Sequence, residues 1–410
     1  MNTPLRRVLS LCLTLLLILP PGLGLMTVDA KAADGVTINV YNWGQYISDG
    51  TDGYIDVNEA FTEATGIRVN YMTYDTNESL YTKLKTGGST YDVIIPSDYM
   101  AGRLIAEGLV QPLNFDNIPN YQYIDEAYKN TAYDPDNAYS IPYTWGTVGV
   151  IYNTKFVDEA DTGGWDLLWN SKYAGKILMF DNNRDAFAIA ESSLGYSLNT
   201  TDELELRACS DLLAHQKPVI QQYVMDQIYD KMIGEEAWIA PYYAGDFLMM
   251  QDENEDLEFY FPEDGFNLFI DCFMIPASAE HKAEAEAYIN FLLEPAICGE
   301  NLDYLGYSAP ESAAKEYMDP DMAESDIAYP DAETLSRSES FLYLPTETNQ
   351  LMDSLWLEVK TGGAETTRML VTFLVVVGVI LAALIGYSVY QRRRKARRGM
   401  YYHKHEAGDR

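Results

Sequence analysis

Carboxylates and aromatic rings recur at the points where alternating apolar residues bring a strand to its end. The first strand runs into YNWGQY, with Trp43 and Tyr46, and the third into IIPSDYM, with Ser97, Asp98 and Tyr99. Later, FDNNRD supplies Asp181, Asn182 and Asp185, and PYYAGD supplies Tyr242, Tyr243 and Asp246. Carboxylates pair with ammonium groups through charge-assisted hydrogen bonds, while Trp and Tyr faces pack on methylenes and attract cations. The combination suits an organic cation. A single ring of this kind serves equally well in a core, so the argument rests on the recurrence.

Asp271 is the most informative residue. It sits inside the run FNLFIDCFMI, between Phe269 and Phe273, where a charge is partly desolvated and costly unless paired. An Arg or Lys of the fold could be that partner, and so could a ligand ammonium. No Cys/His cluster at metal spacing, no phosphate-binding loop and no nucleophile motif accompanies these acids, so neither a metal nor a cofactor is expected. A glycosidase needs two carboxylates in a defined pair, and no such pair stands out.

The elements that must position these residues alternate. Val36, Ile38 and Val40 mark a strand, 54–65 has helical spacing closed by Gly66, and Ile67, Val69 and Tyr71 mark a second strand. A helix over 78–85, a strand over 91–95 and a helix over 100–107 continue the pattern, which predicts an α/β domain. The segment 139–152 reads as extended chain able to cross between lobes. A second α/β set follows: strand 176–180, helices 184–194, 202–216 and 225–233, strand 237–243, an extended run over 266–275, and a helix over 280–293 capped by Ser278. In open α/β sheets the ligand lies beyond the carboxyl ends of the strands, where the acids and rings fall.

The two termini point to the membrane. Arg6 and Arg7 precede a short apolar stretch, then Pro20 and Pro21, then Ala30-Lys31-Ala32, the pattern of a cleaved secretory signal over 1–33. Residues 369–390 form 22 uncharged apolar positions, about 33 Å as a helix, enough to span a bilayer. The following QRRRKARR places the tail, 391–410, in the cytoplasm and the rest outside the cell membrane, extracellular or periplasmic. The chain has 28 Lys+Arg and 62 Asp+Glu; eleven of the former and three of the latter lie outside 34–368, leaving 17 against 59 and a net charge of −42 there. Such a field repels nucleic acid and draws cations, and it equally keeps a protein soluble. The whole chain is 47% hydrophobic, so the segment reads as no acidic stalk, and its length suggests two lobes. Cys209, Cys272 and Cys298 are an odd set from which one disulfide at most can form.

YNWGQYISDG, ATGIRVNYMTYDTNESLYTKLKTG, YDVIIPSDYM, YSIPYTWG, GYSLNTTD, INFLLEP, LGYSAPE and YPDAET together resemble the spermidine/putrescine-binding proteins of polyamine ABC importers, in order over about 36–360. The resemblance implies the two-lobed periplasmic binding protein fold (type II), each lobe built from separate segments: 34–147 with 270–315, and 148–269 with 316–358, followed by a linker over 359–368. It implies ligand contacts at Trp43, Tyr46, Ser97, Tyr99 and Tyr307, with Asp185 and Asp271 receiving the amines. Three departures stand out: Asn182 replaces a common Asp beside Asp181, Tyr242 and Phe269 replace Trp, and a late Gln contact has no clear counterpart near 339–342.

The resulting expectation is a membrane-tethered solute-binding protein, with no enzyme activity. It encloses putrescine or spermidine and partners an ABC permease and ATPase. The alternative is an extracellular sensory or adhesive receptor using the same fold for another organic cation; its 20-residue tail leaves no room for a signalling domain.

Overall fold

The computed structural model describes residues 35–88, 90–362, 375–377, 379–381, 387 and 390. Strand β1 (Thr37–Trp43) lies parallel to β2 (Arg68–Tyr74) over seven residue pairs and to the short β3 (Val93–Ile94), as the strand, helix, strand spacing predicts. The connecting helix α1 (Val57–Thr65) begins where Asp56 accepts from the Glu59 N–H and stops at Gly66, whose φ of 75° only glycine adopts cheaply. Helix α2 (Asn77–Thr86) is opened by a Thr76–Ser79 capping box, and α3 (Asp98–Ala106) follows β3.

Two long strands carry the chain between the lobes. The 14 residues of β4 (Ser140–Asn153) stay extended throughout. In the second half of the chain lie β5 (Ile177–Phe180), β6 (Ile220–Val224), β7 (Ile239–Tyr243), β8 (Leu257–Tyr260), β9 (Phe266–Met274) and β10 (Ser338–Glu339). The sheet order is β2-β1-β3-β9-β4-β7-β5-β6. From Ser140 to Thr147, β4 pairs antiparallel with β9; from Val148 onward it pairs with β7 and β8. One strand therefore belongs to two halves of the sheet.

The hydrophobic side chains divide in the same way. One core gathers Ile38, Val40, Phe61, Val93, Tyr143, Phe273, Ile289 and Leu302, and Met318 and Tyr329 pack with it. Another gathers Val148, Ile151, Trp165, Phe180, Phe187, Phe247 and Met352. Helix Thr346–Thr361 completes the second core through Met352, Leu355, Trp356 and Val359. Two further helices of this lobe, α4 (Asn183–Leu194) and α5 (Glu203–Gln216), pack against each other. Helix α6 (Ile228–Ile233) is shorter than expected, because strand β6 and a turn occupy the residues before it, and α7 (Ala244–Glu253) follows β7 directly.

The helix expected from Ser278 starts instead behind His281, with no side-chain cap. Cys209, Cys272 and Cys298 are all buried and free. The expected signal segment lies outside the described residues. Among the described residues no helix is long and apolar enough to cross a membrane. Most of 369–390 also lies outside them; the eight residues described there are helical, and Val375, Val376, Val379, Ile380 and Leu381 expose more than half of their surface.

Candidate functional site

Every strand that ends at the junction of the two cores delivers a side chain to one cavity. Beyond β1 stand Trp43 and Tyr46, and beyond β2 stand Asp75 and Glu78 at the start of α2. Ser97 and Tyr99 come from the turn into α3, Asn182 and Asp185 from the turn into α4, Tyr242 and Tyr243 from the end of β7, and Asp246 from the first turn of α7. Phe269 and Asp271 project from the middle of β9, and Tyr307 follows the helix Pro295–Leu305. The cavity holds about 890 Å³ of empty space, part of it open to solvent, within the range of small-molecule sites.

The buried acids of this cavity are each held by tyrosine. Tyr46 Oη donates to Asp271 Oδ2 at 2.8 Å, and Asp271 is only 4% exposed. Its other oxygen, Oδ1, is buried without a hydrogen-bond partner. Tyr243 Oη and Asn182 Nδ2 both donate to Asp185 Oδ2, each at 2.7 Å. Asp246 has both oxygens occupied, Oδ1 by Tyr229 at 2.7 Å and Oδ2 by Tyr307. Neighbouring rings lock these donors: Tyr46 meets Tyr307 edge-on at 5.1 Å, and Tyr243 meets Phe269 at 5.4 Å.

No ion pair relieves the acids. Six carboxylates line the cavity (Asp75, Glu78, Asp185, Asp226, Asp246 and Asp271), and among the described residues none lies within ion-pair distance of a Lys or Arg. The cavity's one base, Arg184, points its guanidinium over Phe341 at 4.3 Å and donates to Asn199 at 2.9 Å. Burial pushes Asp271 up to about 6 against the pull of Ser97 and Tyr46, and pushes Asp246 up to about 6 against its two tyrosines. Asp185 is raised for the same reason. A carboxylate so raised regains its charge when a cation arrives to share it.

All ten residues singled out from the sequence, Trp43, Tyr46, Ser97, Tyr99, Asn182, Asp185, Tyr242, Phe269, Asp271 and Tyr307, line this cavity. Asn182 replaces a negative group with a donor to Asp185, so the carboxylate is held where a second Asp would repel it. Asp181 offers no compensation, because it turns outward to Lys360 at 2.9 Å. Tyr242 forms the wall: it is 2% exposed and stacks on Phe180, while Tyr243 makes the polar contact. Sequence reasoning noted Tyr243 and Asp246 at a strand end without assigning them to the site, and it passed over Glu78, Arg184, Asp226 and Phe341. Asp75 and Glu78 follow the strand expected over 67–71, so the strand-end rule could have found them. Phe341 occupies the region where the late Gln contact had no counterpart.

Known proteins resemble this chain in sequence and fold. The family model of the bacterial extracellular solute-binding proteins matches residues 57–331. The spermidine/putrescine-binding periplasmic protein of Salmonella typhimurium is 33% identical over 311 residues, covering 76% of this chain and 88% of that protein. A putrescine-binding periplasmic protein of Escherichia coli is 28% identical over 356 residues, covering 82% and 95%. Among solved structures, the substrate-binding protein of a spermidine/putrescine ABC transporter from Streptococcus pneumoniae superposes with a TM-score of 0.69 at 37% identity, covering 80% of this chain and 99% of that one.

Proposed function

The chain belongs to the bacterial extracellular solute-binding proteins and has their two-lobed fold, and from that premise we propose that it captures a polyamine for an ATP-driven importer. The observation that carries this reading is the set of tyrosine-held carboxylates in a cavity where no acid has a basic partner. An α,ω-diammonium chain supplies the missing charges at its ends and methylenes for Trp43, Phe269 and Tyr307 between them. Asp185 and Asp271 receive the ammonium groups, Trp43, Tyr46, Ser97, Tyr99, Tyr242, Phe269 and Tyr307 shape the walls, and Asn182 positions Asp185.

The lobes, 34–147 with 270–315 and 148–269 with 316–358, apart from the stretch around Met318 and Tyr329 that packs on the first core, close on the ligand by bending where β4 and β9 pass from one to the other. The closed form docks on a permease. The apolar run over 369–390 anchors the protein beside that permease, with the basic tail in the cytoplasm; the exposed Val375, Val376, Ile380 and Leu381 support this part of the reading, since such a face suits lipid. Titration calorimetry of the full chain in detergent tests the assignment. Putrescine or spermidine should bind and raise the unfolding temperature, and no heat with either would sink it.

A further inference from the structure

Of the four lining acids that the reading above leaves unused, Asp246 is held by two tyrosines and Glu78 accepts from Tyr99 at 3.0 Å; the other two, Asp75 and Asp226, stand at the cavity mouth. Asp75 follows β2 in the first lobe, and Asp226 follows β6 in the second. Asp226 reaches the first lobe here: a Cβ placed on Gly44 would lie 3.7 Å from Asp226 Oδ2, and Gly44 follows Trp43, whose partner in β2 is Tyr74, the residue before Asp75. Among the described residues neither carboxylate accepts a hydrogen bond from another residue's side chain or joins an ion pair, and both are exposed. Desolvation in the mouth and then the nearby Asp75 hold the Asp226 carboxyl above its usual range, as expected of like charges brought together.

Inside the cavity the free acceptor positions can be counted. Asp246 has both oxygens taken by hydroxyls, whereas Asp185 and Asp271 each keep Oδ1 free, and that of Asp271 is buried without a partner. The deep part of the cavity therefore has open positions for two ammonium groups, and among the other lining carboxylates open oxygens remain on Asp75, Asp226 and one oxygen of Glu78, all three exposed residues.

We propose that Asp75 and Asp226 form a third ammonium subsite, completed when the two lobes meet, so that the protein favours a linear triamine over a diamine. This rests on the polyamine reading and makes it more specific. The third ammonium neutralises both mouth acids at once and so offsets the repulsion that otherwise opposes closure. A diamine whose two ammonium groups occupy the deep positions leaves that repulsion in place.

Calorimetric titration of the full chain and of its Asp226→Asn and Asp75→Asn variants with spermidine and putrescine tests this, read as the ratio of the two dissociation constants. The wild type should prefer spermidine, and each substitution should lower that preference by about 5-fold, the scale of a partly exposed charge pair. A ratio that stays constant, whether both affinities fall together or neither moves, would overturn the subsite and leave the polyamine reading intact. Failure of the wild type to bind either amine would overturn both.

Discussion

Asp271 concentrates the conflict between stability and binding. A carboxyl raised from 3.8 to about 6 costs the folded state about 3 kcal/mol at neutral pH. Asp271→Asn should therefore raise the unfolding temperature of the ligand-free protein while weakening polyamine binding by about 100-fold, because a buried charge is withdrawn from its cation. Calorimetry and a thermal melt on the same sample check both; a variant that loses stability and keeps affinity would show that the acid serves the fold. The pH dependence has a definite sign. Between roughly pH 4 and 6 the folded chain holds protons on Asp271 and Asp246 that the unfolded chain has released, so ligand-free stability falls as pH rises through that window and levels off above it. Binding runs the other way: affinity should drop as pH falls from 7 to 5, and complex formation near pH 6 should release protons, measurable by titration in buffers of different ionisation enthalpy. The residue types of the site were legible because strand-end acids and rings have few other uses in such numbers. The choice between Tyr242 and Tyr243 was not. Both faces of β7 are covered, so adjacent tyrosines point to opposite sides without any polar and apolar alternation to tell them apart.

At the scale of elements, the contact between α7 and Tyr307 sets how closely the lobes approach. A Cβ on Gly245 would lie 2.6 Å from the Tyr307 ring, so the absence of a side chain there is what lets the hydroxyl reach Asp246 from the other lobe. Gly245→Val should displace that ring, free an oxygen of Asp246 and weaken polyamine binding by about 10-fold or more, with a smaller loss of stability because the ring can swing into the cavity. A crystal structure of the variant with Tyr307 unmoved would refute this account. The alternation of strands and helices was readable wherever one face is apolar, as in β1, α1 and β2. Strand β6 escaped because Gln221 and Gln222 interrupt its apolar residues; it is the outer strand of the sheet order, and those two side chains are exposed. The double role of β4 was foreseen only as extended chain, since nothing local in 140–153 marks the point where its partner changes from β9 to β7.

For the whole molecule, the proposed tethering makes the charge of the 34–368 segment and the apolar run behind it act on the same encounter. A net charge of −42 draws polyamines from dilute solution toward the cleft, an effect that weakens as salt screens it. Capture alone does not deliver the ligand, however: a released binding protein must find its permease by diffusion, whereas a tethered one meets it at an effective concentration of the order of millimolar when the linker spans the gap. Seven residues, the length of 362–368, reach about 24 Å at most when extended, so a tether at 369–390 would keep the lobes close to the bilayer. Removing 363–410 should therefore leave spermidine affinity within about 2-fold of the full chain and the unfolding temperature unchanged, since among the described residues neither core draws on that segment. Uptake of labelled spermidine by cells carrying the truncated chain should fall, and should recover when the truncated protein is supplied in excess. A truncation that loses affinity would mean that the C-terminal segment shapes the cleft, and undiminished uptake would mean that the permease recruits the lobes without help from the membrane.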